Sequence, residues 1–509
     1  MGQISVTRPR FRVVLQRETL WNIGIVILLV CTLAVLLSRT IADPDLWGHL
    51  RFGLDTLRAG KIVQVDPYSY LTVGQRWVNH EWLAEVTFAL AWTAGGVPGL
   101  ILLKMTLGFL TIGILYGRLL KLHLTYLRAT ILLLVWSFPL IMFLLSIRPQ
   151  LFTYLFYALT LLIILRAEAG EYRWLWVAPL LLALWANLHG GVLAGFGLFG
   201  LWALLHLLFH RQAWRQIIPP ALASITAAFA NPYGADLLIF LLRTATVPRP
   251  EVNDWQPLKL VSVFGPMYFL ILAISVVGLS LSLQKRRPVL LILFGITALL
   301  PWMAIRHLPL FSITSLVFTG EHVGSAWSRA TPRKKGERSL PLWAVSLPVT
   351  TAAALLVLGS TQDLHRIHML EGDMPIAAVA LLKQSGVSGN LATEFVWGEY
   401  IIWHVGPQIK VSLDGRRETV YSTAIYRQNL RFLLGVDDWD VLLREHPTDM
   451  VLLKKYTPAY NLVRLKRDWL QIFGDSKSAL FVSRNSSLVE PLRQAGDGFV
   501  PPEGCEYFP

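Results

Sequence analysis

The chain is 509 residues long, 54% hydrophobic and only 15% charged, with a mean hydropathy of +0.51. Soluble domains carry about 25% charged residues, so the composition excludes a soluble globular protein and points to a polytopic membrane protein. The formal net charge of +14 lies in short basic clusters between apolar runs, a pattern set by membrane orientation rather than by binding to a nucleic-acid backbone.

The first 19 residues are basic (Arg8, Arg10, Arg12, Arg17) and lead into the apolar run Trp21 to Leu37. That run exceeds the roughly 7–15 residues of a signal-peptide core, and Arg39 stands just before a cut after Ala42, so it is read as a retained first helix. Apolar runs follow near 98–116, 129–145, 150–165, 174–188, 191–209, 216–230, 258–283, 289–303, 308–322 and 341–360. With 20–38 they predict an α-helical polytopic domain of about 11 spans (range 10–13) over 20–373. The apolar segment 81–96 decides the topology. If it does not span, the loops on the N-terminal side carry 19 Lys and Arg and the opposite loops carry 10. The positive-inside rule then puts the N-terminus in the cytoplasm, and 81–96 is an interfacial or re-entrant helix. Cys31, in an apolar span, and Cys505, in the tail, do not pair, so the redox compartment stays open.

The first outer loop, 39–97, holds the densest chemistry. Ala42-Asp43-Pro44-Asp45-Leu46-Trp47-Gly48-His49 follows the first span directly, and Asn79-His80-Glu81-Trp82 closes the loop. Asp43 and Asp45 suit a general base, a pair of ligands for a divalent cation, or an N-cap for a helix beginning near Leu46. His49 lies one helical turn after Asp45, where both can share a face. Glu81 is either a second acidic group or a carboxylate favoured by a helix N-terminus. On the same side fall Arg148, Asn187-Leu188-His189-Gly190-Gly191, Glu251-Val252-Asn253-Asp254-Trp255 and Arg306-His307. Arg148 and Arg306 stand at ends of spans and Lys104 about two turns inside one; such charges either snorkel to headgroups or bind a lipid-linked phosphate. His189 sits among glycines that allow close approach of a ligand or of another helix.

From about Met374 the pattern changes. The runs Asn390 to Thr393, Ile409 to Leu413, Met450 to Leu453 and Ala479 to Val482 alternate with helix-like stretches, Ser422 to Leu434 and Asp438 to Glu445. These predict a soluble α/β domain over 374–495 on the outer face, followed by an irregular tail, 496–509. Val396-Trp397-Gly398-Glu399-Tyr400 and Leu413-Asp414-Gly415-Arg416-Arg417 are read as structural, with Asp414-Gly415 a turn signal after a strand; the other reading has Asp414 or Arg416 reach back toward the membrane site.

A basic start, an acidic first outer loop (Asp43, Asp45), and many spans followed by an outer soluble domain together resemble the GT-C class of membrane glycosyltransferases, the superfamily that includes protein mannosyltransferases and aminoarabinose transferases. The resemblance implies a polyprenyl-phosphate-linked sugar as donor, an acceptor left open among lipid, glycan and protein, and a site facing outward from the plasma (inner) membrane of the cell envelope. It implies that Asp43 or Asp45 is the acceptor-activating base and that the outer-face Lys104, Arg148 and Arg306 hold the donor phosphate. The reading of the loop residues adds Glu81 as a further candidate catalytic carboxylate and His49, His80 and His189 as candidate substrate contacts. No cofactor is implied beyond a divalent cation, held by Asp43 and Asp45 if at all, and no nucleic-acid partner. The other reading is a non-enzymatic transporter or assembly protein for lipid-linked glycans.

Overall fold

The computed structural model describes residues 17–331 apart from 123, 246, 248, 250 and 251, then most of 350–369, and 374–502 and 507–509. Helix α1 (Arg17–Ser38) is followed by a short loop and by α2 (Leu46–Ala59), an amphipathic helix whose residues Leu46 to Leu50 are all buried. Helix α3 (Trp82–Leu120) has two arms that meet at Gly95 and Gly96, where the backbone leaves helical geometry. A Cβ at Gly99 would lie 2.1 Å from the Ala91 carbonyl oxygen, so the second arm folds back against the first. The first arm, of about 13 residues, rises only ~20 Å at 1.5 Å per residue, short of a ~30 Å hydrocarbon core.

The membrane part continues through α4 (Tyr126–Phe143), α5 (Gln150–Glu168), α6 (Ala178–Leu188), α7 (Val192–Phe209), α8 (Trp214–Ala227), α9 (Ala235–Ala245), α10 (Phe264–Leu281), α11 (Pro288–Leu299) and α12 (Leu308–Ala330). Among the described residues, six helices are long and apolar enough to cross a membrane: α1 (from Thr19), α3, α4, α5, α7 and α10. The expected runs at 174–188, 216–230 and 289–303 form shorter helices, interrupted or bounded by 3₁₀ turns and by Pro219, Pro220 and Pro301. The run at 341–360 lies largely outside the described residues. Helix α9 occupies part of 231–259, which the sequence suggested as loop. The bundle packs around α12, buried almost without break from Leu308 to Gly324. Its hydroxyls are satisfied across helices: Trp136 Nε1 donates to Ser315 Oγ at 2.9 Å, and Tyr157 pairs with Thr314 at 2.9 Å.

Beyond the bundle, β1 (Gly389–Thr393), β2 (Ile409–Val411), β3 (Met450–Lys454), β4 (Trp469–Gly474) and β5 (Ser478–Ser483) form one mixed sheet in the order β2-β1-β3-β5-β4. The first three are parallel; β5 runs antiparallel to both β3 and β4. Two attachments tie this sheet to the first loop. Ser69 pairs with Val411, with Val411 N–H donating to Tyr68 O at 3.0 Å and Tyr70 N–H to Val411 O at 3.2 Å, so the loop covers the β2 edge. Phe508, in the tail, is buried against Trp47, Trp92 and Trp403. The backbone entering the acidic motif is also held: Ile41 N–H donates to Leu145 O at 2.9 Å and Ala42 N–H to His368 O at 2.7 Å.

Candidate active site

These attachments bring the first loop, the N-terminal ends of α3 and α5, and the sheet's connecting loops around one cavity of about 120 Å³. Asp45, His49, His80, Glu81, Glu85, Arg148, Glu399 and Arg416 are among its lining residues.

The two aspartates of the opening motif have separate fates. Asp43 is 6% exposed and forms an ion pair with Arg148, while its Oδ1 accepts the Asp45 N–H at 3.1 Å. Arg148 extends its other arm to Asp254 Oδ2 at 2.5 Å. Burial alone would weaken its charge, but Asp43, Asp45 and Asp254 outweigh that and keep the guanidinium protonated. Asp43 thus anchors a cation. Asp45 is the N-cap residue of α2, yet its side chain makes no capping bond. Its carboxylate lines the cavity, and burial, reinforced by Asp43 and opposed by Arg148 and His49, pushes its pKa up to about 6.

One turn along α2, His49 Nδ1 lies 3.4 Å from Glu85 Oε1 and 3.9 Å from Glu81 Oε2. Burial disfavours its charge, but the Glu85 hydrogen bond and the carboxylates of Glu81, Glu85 and Asp45 prevail and raise it to about 9. Glu81 is also flanked by His80 Nε2 at 3.6 Å and His189 Nε2 at 3.5 Å. Its pKa rises to about 7, chiefly from burial, with Glu85 and Asp45 adding and His49 and Arg306 opposing. Both neighbouring imidazoles are neutral: burial, then His49, Arg249 and Arg306, lower His80 to about 3, and burial with Arg306 lowers His189 well below its ordinary value. His189 Nδ1 accepts the Gly191 N–H at 3.0 Å and sits 2.7 Å from Thr153 Oγ1, which assigns its proton to Nε2, facing Glu81. A Cβ at Gly191 would lie 2.4 Å from Thr153 Oγ1, so this glycine serves close packing of α5 against the loop.

Arg306 borders this cluster, with its guanidinium 4.6 Å from the Trp255 ring centroid; Arg249 lies 3.6 Å from the same ring. Lys104 lies elsewhere. It is fully buried in α3, and its Nζ donates to the Arg39 carbonyl at 2.6 Å, outside the cavity lining.

Among the described residues, the group able to hold a metal ion is His49, Glu81 and Glu85, rather than Asp43 with Asp45. One imidazole and two carboxylates are a suitable donor set for a divalent transition metal. Asn79 Nδ2 donates to Glu85 Oε2 at 2.5 Å, an outer contact that would orient that ligand.

Glu85 and Glu399 escaped the sequence reading, while Asp254 and Arg416 were noticed without their partners. Glu85 hides one turn inside an apolar helix, and Asp254 stands in a loop more than 100 positions from its partner Arg148. The sequence suggests a structural role for Glu399, and for Arg416 either a structural role or a reach back toward the membrane site; both reach the cavity. Arg416 donates to Asp414 at 2.9 and 2.7 Å and to Asp66 at 2.6 Å, under the rings of Phe52, Tyr68 and Trp77.

No protein-family model and no curated protein matches the sequence. Solved structures do match. The Archaeoglobus fulgidus oligosaccharyltransferase AglB, in complex with an inhibitory peptide and a dolichol-phosphate, aligns with a TM-score of 0.56 at 11% identity, over 85% of this chain and 69% of that one. ArnT from Cupriavidus metallidurans, bound to undecaprenyl phosphate, aligns with a TM-score of 0.52 at 11% identity, over 92% of this chain and 98% of that one. At such identities the likeness is one of fold: a helical membrane domain followed by a smaller domain built on a sheet. The chain is a polytopic membrane protein with the fold of the GT-C glycosyltransferases.

Proposed function

We propose that this protein is a membrane glycosyltransferase that moves a sugar from a polyprenyl-phosphate donor to an acceptor hydroxyl, with Asp45 as the base. The observation that carries the proposal is the division of labour between the two aspartates: Asp43 is spent on Arg148, whereas Asp45 faces the cavity with a carboxylate that caps nothing. In this reading Asp45 takes the acceptor's proton, and the acceptor oxygen attacks the anomeric carbon with inversion. The bond to the phosphate oxygen breaks as the new glycosidic bond forms. Charge on the departing lipid phosphate is met by Arg306, Arg148 and the imidazole N–H groups of His80 and His189. The excess of Lys and Arg on the N-terminal side supports a cytoplasmic N-terminus and a site on the outer face of the plasma (inner) membrane.

The test uses the full-length protein in nanodiscs with a panel of undecaprenyl-phosphate-linked hexoses and pentoses, reading release of undecaprenyl phosphate. Consumption of at least one donor is expected. Movement of an intact donor between the leaflets of proteoliposomes, with no donor ever cleaved, would overturn the reading in favour of a transporter.

Donor contacts can be examined without knowing the sugar. Losing one charge-assisted contact costs about 1.5–3 kcal/mol, so Arg306→Ala is expected to weaken undecaprenyl phosphate binding by about 10- to 100-fold. Lys104→Met should change that affinity less than about twofold, because its ammonium is already taken by the Arg39 carbonyl. Equal losses in the two variants would refute the placement of the phosphate.

A further inference from the structure

Glu399 opens the short helix Gly398–Val405, and no step above uses it. It is 4% exposed, and its Oε2 accepts the Gly48 N–H at 3.1 Å across a sequence separation of 351. Gly48 is the third residue of α2, and its amide is one of the donors that a helix N-terminus leaves without an internal partner. An aspartate at the N-cap ordinarily accepts from that position or the one before. Here the N-cap aspartate is Asp45, and a carboxylate from the sheet-bearing part of the chain has taken its place.

The fit around this contact is close. A Cβ at Gly48 would lie 2.0 Å from Glu399 Oε2, and a Cβ at Gly415 would lie 2.4 Å from Asp45 Oδ1 and 2.6 Å from Glu399 Oε1. Two glycines, one on each side of the interface, leave the space through which the two carboxylates pass. Among the described residues, the nearby guanidinium groups pair with other carboxylates than Glu399: Arg416 with Asp414 and Asp66, and Arg148 with Asp43 and Asp254.

From this geometry we propose that Glu399 is a positioning residue: it caps the first turn of α2 in place of Asp45 and so leaves the Asp45 carboxylate free to face the cavity. The proposal rests on the reading of Asp45 as base. Burial, with Asp45 and Asp414 beside it, holds the Glu399 carboxyl well above the usual carboxylate range, which suits an acid that keeps its proton and accepts through its other oxygen. A glutamine can take the same place. An alanine cannot, and the orphaned amide then competes for the carboxylate of the N-cap residue Asp45.

The experiment compares Glu399→Ala, Glu399→Gln and Asp45→Asn with wild type, on whichever panel donor the wild type consumes. Loss of a general base costs 10²–10⁴-fold. Drawing Asp45 into a cap is therefore expected to lower kcat in Glu399→Ala by about 100-fold, with donor KM within about threefold. Glu399→Gln is expected to keep kcat within about threefold of wild type, since it preserves the acceptor. Wild-type kcat in Glu399→Ala, or a glutamine variant as impaired as the alanine one, overturns the capping role. Wild-type kcat in Asp45→Asn instead overturns the base assignment beneath it. Gly415→Ala supplies a second perturbation at the same contact and is expected to lower kcat as Glu399→Ala does.

Discussion

Asp45→Asn lowers donor consumption by about 10²–10⁴-fold, the range a general base contributes, while undecaprenyl phosphate still binds. Asp43→Asn acts differently, because Asp43 works through Arg148: with that ion pair weakened, donor KM rises more than kcat falls. The pH profile carries the same assignment. Burial and Asp43 raise Asp45 to about 6, so the acid limb of kcat/KM should have its midpoint near pH 6. A solvated aspartate would put it near pH 4. Activity appears as pH rises through that midpoint, since the base must be ionised. Stability runs the other way. A carboxyl whose folded pKa lies above its unfolded value stabilises the fold fully below the unfolded pKa, and that contribution is lost as pH rises through about 6. Asp45→Asn removes a buried charge and should increase hydrogen-exchange protection over 39–60 at pH 7 while lowering turnover by about 10²–10⁴-fold. A variant that loses both activity and stability would show Asp45 to be structural.

How much of this was legible beforehand depends on the range of each interaction. Asp45, His49, His80 and Glu81 stood out because they share one short loop beside the first span, and proximity in the chain became proximity in the cavity. Arg148, His189 and Arg306 followed from loop alternation, which gathers outer ends without saying which of them touch. β1, β2, β3 and β5 were marked by compact apolar runs; β4 was not, because it is an edge strand with a bulge between Gln471 and Phe473 that breaks its alternation. Nothing local marked Glu399 as more than structural, and Arg416 reaching back toward the membrane was only one of two readings. Their roles arise from pairing β2 with Ser69 and from the burial of Phe508, contacts spanning more than 300 positions. Lys104 shows the converse: a lysine inside a span suggested a ligand, but a four-carbon stem was enough to reach a backbone carbonyl at the end of α1.

Arg416→Ala is expected to uncouple the sheet from the first loop. The wild-type guanidinium makes two bonds to Asp414 and one to Asp66, while Tyr421 donates to Asp414 at 2.7 Å and Thr72 to Asp66 at 2.5 Å. Every member of the network is partnered, which is the condition under which buried charge is tolerated. Removing the cation leaves Asp66 and Asp414, both almost fully buried, facing one another without a counter-charge. It also empties the space beneath Phe52, Tyr68 and Trp77. Breaking one partner of a buried pair costs about 3–5 kcal/mol, comparable to what holds a small interface closed. A single melting temperature does not say which part of the chain opens. Hydrogen exchange is the better measure: in Arg416→Ala, peptides covering 60–80 and 409–421 should lose protection together while those of α4, α5 and α12 keep theirs. Arg416→Lys should fall much closer to alanine than to wild type, because an ammonium can neither bridge both aspartates through paired bonds nor lie flat among three rings. Turnover should fall in parallel, since Asp45 and Glu399 approach one another only while this interface is shut. Retention of both protection and turnover in Arg416→Ala would mean that the Ser69–Val411 pairing and the Phe508 anchor suffice to hold the site together.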